Sequence, residues 1–118
     1  MLFRSSPFLV NGKLSPAAER GQKLFNSSQT RCAQCHTPGY FTDRRSYDVG
    51  TAAATDEQGS TFDTPTMLEL WRTAPYLHDG SAATLRDVIL LNHNDRHGRT
   101  SRLSPQEIDD LVAYLQSI

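Results

Sequence analysis

The feature that most constrains this chain is the pentapeptide Cys32-Ala33-Gln34-Cys35-His36. Two thiols three residues apart lie close together on a helical turn, and an imidazole follows at once. C-x-x-C-H is the attachment pattern of a c-type haem. The spacing has a chemical reason: the thiols reach the two vinyl groups of one macrocycle, and the next residue directs its imidazole at the iron. A cofactor bonded in this way becomes part of the core. Other chemistries use similar residues. His93 and His97 lie four apart and would complete a formal Cys2His2 zinc set with Cys32 and Cys35. The separation between the two pairs, however, far exceeds the roughly 12 to 15 residues of a zinc finger. A thioredoxin-like dithiol calls for a strand before the motif and a long helix after it, whereas Thr37-Pro38-Gly39 stops any helix just past His36. An inert structural pair is the remaining alternative. Two cysteines cannot build a disulfide framework.

Length and charge narrow the field further. A chain of 118 residues fits one domain, read here as an extended lead-in over 1–14 and a single domain over 15–118. Twelve basic residues against thirteen acidic ones leave a formal charge of −1, without the clustered basic face of a nucleic-acid binder. No apolar run approaches the roughly 18 to 20 residues that span a bilayer. The apolar share of 37% is modest even with seven glycines added, so a haem would supply missing apolar volume.

The pattern of helix signals predicts an all-α fold of four to five short helices and long loops. Ser15-Pro16 places an N-cap and a first-turn proline ahead of a helix running to about Phe25. Gly21 inside that helix implies close approach by another backbone. Thr64-Pro65 is expected to open a short helix carrying Met67, Leu68, Leu70 and Trp71. Thr84 with Asp87, and Ser104 with Glu107, read as capping boxes for two further helices. The last of these places Ile108, Leu111, Val112 and Leu115 on one apolar stripe, and Asp109-Asp110 reads as its solvated face. The stretch 37–62 is long and irregular, as functional loops are.

Around the motif, Gly21 and Phe25 on the first helix, with Leu111 and Tyr114 on the last, resemble the helix-crossing residues of the class I cytochrome c fold. The middle of the chain is similar to the dihaem cytochrome c peroxidase and MauG family, in particular its C-terminal, electron-transfer haem domain. The residues that carry this are Phe41-Thr42-Asp43, Asp48-Val49-Gly50-Thr51, Thr64-Pro65-Thr66, Ala74-Pro75-Tyr76-Leu77-His78-Asp79-Gly80 and Thr84-Leu85. The family has two haems, and this chain has one attachment motif. Where the family's bacterial peroxidases carry a methionine ligand, this chain has Asn92, with His93 beside it.

The resemblance implies one covalent haem c held by Cys32 and Cys35, with His36 as the proximal iron ligand. His93 is the expected second ligand, at the end of the helix that begins at Thr84; His97 and Met67 are the other candidates, and a vacant iron is a further alternative. For His78 the resemblance implies a place on the propionate side or behind an iron ligand. Trp71 and Tyr76 read as core or haem-edge residues, and Arg72 and Arg86 as propionate partners or surface charges. The expected function is one-electron transfer to a redox partner protein or to another redox domain of the same polypeptide. A haem peroxidase or oxygen-activating enzyme with an open iron is the alternative, and ligand sensing a third possibility without positive support. Because covalent haem attachment takes place outside the bacterial cytoplasmic membrane, the chain is expected to be periplasmic or otherwise exported. It carries no legible export signal, so it reads as an excised domain of a larger exported redox protein.

Overall fold

The computed structural model describes residues 3–118. It is mostly helical: α1 spans Pro16–Asn26, α2 Cys32–Cys35, α3 Leu85–Leu90 and α4 Pro105–Ser117. Short 3-10 turns lie at Leu70–Arg72 and His93–Asp95. The irregular middle contains a feature the sequence patterning did not predict, a two-residue antiparallel pair. Its strands are β1 (Ser46–Tyr47) and β2 (Phe62–Asp63), with Ser46 opposite Asp63 and Tyr47 opposite Phe62.

The caps behave as the side-chain chemistry requires. Ser15 accepts from the Ala18 N–H at 3.1 Å. Thr84 and Asp87 close one capping box, and Ser104 and Glu107 another, each satisfying two otherwise orphaned N–H groups. One expected helix does not form. Thr64-Pro65 opens no helix, and only Leu70–Arg72 coils, because Glu69 adopts a left-handed φ of 58° just before that turn.

The core sits where α1 crosses α4. A Cβ added to Gly21 would lie 1.9 Å from the Asp110 carbonyl oxygen and 2.8 Å from the Tyr114 Cβ. Only glycine permits that approach. Phe25 packs against Tyr114 with ring centroids 5.3 Å apart, and on its other side meets Phe41 edge-on at 6.0 Å. Ala18, Leu111, Leu115, Leu85, Ile89, Leu103 and Met67 complete the buried cluster.

Asp110 departs from its expected solvated role. It is 3% exposed and takes a bidentate bond from Arg20, at 2.9 Å and 3.0 Å, with Gln106 adding a third at 3.0 Å. The α1 guanidinium thus locks the outer edge of the same crossing, and it holds the Asp110 carboxyl below the usual carboxylate range. The N-terminal lead-in is tied down as well, through the Ser6 hydroxyl to the Gln116 carbonyl at 2.5 Å. Among the described residues, no helix is long and apolar enough to cross a membrane.

Candidate haem site

The motif turn hangs directly from the end of α1. Thr30, fully buried, donates its hydroxyl to the Leu24 carbonyl at 2.5 Å. Arg31 takes a left-handed φ of 66°, which turns the chain into α2. The His36 N–H then closes the turn on the Cys32 carbonyl at 3.0 Å. Cys32 and Cys35 are both free thiols. Burial pushes the Cys32 thiol up and keeps it protonated.

Just past the motif, the His36 ring is fixed by its Nδ1, 3.1 Å from the Phe41 carbonyl. A carbonyl can only accept, so Nδ1 carries the proton and Nε2 keeps its lone pair for a metal. Burial lowers the His36 pKa against the opposing pull of that carbonyl. The strap at 64–66 is laced to 40–45 by Thr42 to the Thr64 carbonyl and Thr66 to the Tyr40 carbonyl, both at 2.6 Å. Tyr47 donates to Asp43 at 2.6 Å.

The second imidazole near this site is His97. Its ring centroid lies 6.3 Å from that of His36, with the planes 51° apart. Burial, reinforced by His36, pushes its pKa down to about 4, so both rings are neutral at pH 7, the form that binds a metal. The loop that bears His97 is anchored to the motif: the Arg99 N–H donates to the Thr30 carbonyl at 2.7 Å. Gly98, at φ +71°, passes so close that a Cβ there would lie 3.0 Å from the same carbonyl and 3.8 Å from the Cys32 sulfur. Arg96 pairs with Asp48 at 2.5 Å and ties this loop to the segment around Gly50.

The other sequence candidates are placed elsewhere. His93 is exposed on the 3-10 turn at His93–Asp95. Met67 is a member of the buried core. Asn92, at the position where the resemblance put a methionine ligand, is a hydrogen-bonding clamp for the His97 loop. His78 bonds Asp56 at 2.7 Å and stacks on Phe62 at 3.8 Å, so it fastens the 53–62 loop. Arg72 and Arg86 pair with Glu69 and Asp109. Among the described residues, no three His, Cys, Asp or Glu side chains gather as a metal cage, and the Cys2His2 zinc set is not assembled.

A haem brings four ring nitrogens of its own and asks the protein for only one or two axial ligands. Two imidazoles near enough to share one iron would meet that demand. The spacing of His36 and His97, and the two free thiols beside them, fit that demand.

Comparison with known proteins defines the class. Residues 18–118 match the Cytochrome c family model, and the chain belongs to that family, whose covalent cofactor is haem c. Among its relatives, hydrazine synthase subunit gamma of Kuenenia stuttgartiensis is 34% identical across 98% of this chain and 45% of its own length. A solved structure of Kuenenia stuttgartiensis hydrazine synthase, pressurised with 20 bar xenon, superposes with a TM-score of 0.87 at 31% identity, over all of this chain and 51% of that one. The methylamine utilization protein MauG of Methylophilus methylotrophus is 30% identical across 89% of this chain and 37% of its own length. The diheme peroxidase BthA of Burkholderia thailandensis, at 18% identity and a TM-score of 0.74, shares the fold. This chain therefore spans about half or less of the length of the relatives it matches.

Proposed function

We propose that this chain is a one-electron transfer domain in a class I cytochrome c arrangement, with Cys32 and Cys35 as thioether ligands and His36 and His97 as the axial pair. The observation that carries this reading is the 6.3 Å separation of two half-buried imidazoles, both pushed toward the neutral form, close to the attachment thiols. The bound haem supplies reversible one-electron chemistry at its iron. The protein's own residues do the rest. His36 Nδ1–H is held by the Phe41 carbonyl, which fixes the ring and leaves Nε2 to ligate. His97 would supply the second protein ligand to the iron and so deny that position to substrates such as peroxide. We favour His97 over His93, the expectation from helix position, because His93 is exposed while His97 is half-buried beside His36.

Two imidazoles rather than an imidazole and a thioether imply a potential well below that of a Met/His haem. The relatives are longer proteins, which favours a second redox domain of the same polypeptide as the partner over a freely diffusing one; covalent haem attachment favours an exported or periplasmic setting. The haem-loaded chain is expected to give a low-spin ferric spectrum that hydrogen peroxide leaves unchanged. A high-spin spectrum that shifts on adding peroxide would replace electron transfer with catalysis at an open iron.

A further inference from the structure

We infer that Asn92 is the positioning residue that holds His97 against the haem site, an inference that rests on the reading of His97 as the second axial ligand. The segment that carries His97 has little structure of its own. Asn94, Asp95 and Gly98 all take positive φ values, and beyond the short 3-10 turn the backbone runs without regular hydrogen bonding to residue 102. Its path must be set by side chains.

Four sets of ties do so, one of them the Arg96–Asp48 pair already described. Asp95 caps the far side, accepting from the N–H groups of Thr100 and Ser101, both at 3.0 Å, and from the Ser101 hydroxyl at 2.6 Å. Arg99 binds the Thr30 carbonyl through its backbone. Only the Asn92 side chain grips His97 itself. Its Oδ1 accepts from the His97 N–H at 2.9 Å, and its Nδ2 reaches the His97 carbonyl at 2.9 Å, the Gly98 carbonyl at 3.0 Å and the Thr100 hydroxyl at 2.9 Å. Asn92 is partly buried and leaves α3 with its own N–H on the Ile89 carbonyl. A carboxamide suits this place because it offers an acceptor and a donor on one planar group. Among the described residues, none hydrogen-bonds the His97 ring, so the ring's aim depends on how its backbone is held.

The test compares the haem-loaded wild-type chain with Asn92→Ala, Asn92→Asp and His97→Ala. Asn92→Ala is expected to keep its covalent haem. Hydrogen exchange at the His97 amide should quicken about tenfold or more, the factor for losing one to two net hydrogen bonds. Carbon monoxide should bind the ferrous protein faster by a similar factor, because the distal imidazole lets go more often. Asn92→Asp keeps the acceptor for the His97 N–H but sets an anion against three oxygens, so it should be at least as disturbed. Wild-type exchange and carbon monoxide rates in Asn92→Ala, alongside a high-spin His97→Ala, would overturn the role of Asn92 while sparing that of His97. A His97→Ala protein that stays low-spin would overturn both. If the Asn92 variants do not fold, Thr100→Val removes one partner of the carboxamide and should raise both rates about threefold; no change there would also overturn the inference.

Discussion

The crossing of α1 and α4 and the loop at 92–102 both fix residues of the haem site, by different physics. At the crossing, Gly21 admits a backbone carbonyl, Phe25 lies on Tyr114, and Leu111 and Leu115 fill the space behind them. The attraction there is non-directional and spread over many contacts, so it fails through changes of volume. The loop contributes no side chain to that apolar cluster. It holds His97 through a carboxamide, a carboxylate and one backbone bond to Thr30, each directional and each lost singly. One region should set whether the chain folds, and the other how tightly His97 is held. Local opening in proteins follows such differences.

Substitutions can separate the two. The largest expected effect is Gly21→Ala, whose new methyl would overlap the Asp110 carbonyl. Overpacking of this kind costs about 1 to 3 kcal/mol or more. Thermal unfolding should register the loss, while the optical spectrum of the protein that remains folded stays low-spin. If Gly21→Ala changed the spin state without lowering the melting temperature, the division between the regions would collapse.

Thr30→Val comes next. It keeps the shape of a fully buried residue and removes its hydroxyl bond to Leu24, at a cost of about 1 kcal/mol. Because Thr30 also receives Arg99 through its backbone, which valine retains, the distal loop should stay in place. Carbon monoxide binding is the check.

A smaller effect is expected from acid. The Arg20 guanidinium depresses the Asp110 carboxyl in the folded state. A folded pKa below the unfolded one stabilises above the unfolded value and is lost as pH falls through the folded value. The melting temperature of wild type should therefore exceed that of Asp110→Asn at neutral pH, with the gap narrowing below about pH 4. Smallest of all, Arg86→Ala breaks a surface pair with Asp109 whose partners are 44% and 55% exposed. Its effect on stability should stay within about 0.5 kcal/mol.

The same contrast explains what was legible in the sequence. Helices announce themselves through caps and periodicity, so Ser15, Thr84 and Ser104 marked the starts of α1, α3 and α4, and Gly21 marked the crossing. The attachment motif was legible because a covalent haem demands that spacing of two thiols and an imidazole. The nearness of His97 to His36 was not, because the loop that carries it is held by side-chain bonds to Asn92 and by a backbone bond to the distant Thr30, and neither leaves a periodic trace. Asn92 was visible only as a departure from the family's methionine, and His93 drew attention because it stood beside that position. Asp110 was misread as solvated because its partner Arg20 lies ninety positions away along the chain. The segment at 65–69 carried a helix-like start and helix-like apolar residues, yet the strap bonds of Thr64 and Thr66 to the 40–45 segment and the left-handed turn at Glu69 keep it from coiling.

The central claim is that His36 and His97 form the axial pair. Electron paramagnetic resonance of the oxidised, haem-loaded chain beside His93→Ala and His97→Ala tests it most directly. The account predicts a low-spin, two-imidazole signal in wild type and in His93→Ala, and conversion to high spin in His97→Ala alone. A low-spin signal that survives in His97→Ala and disappears in His93→Ala would contradict it.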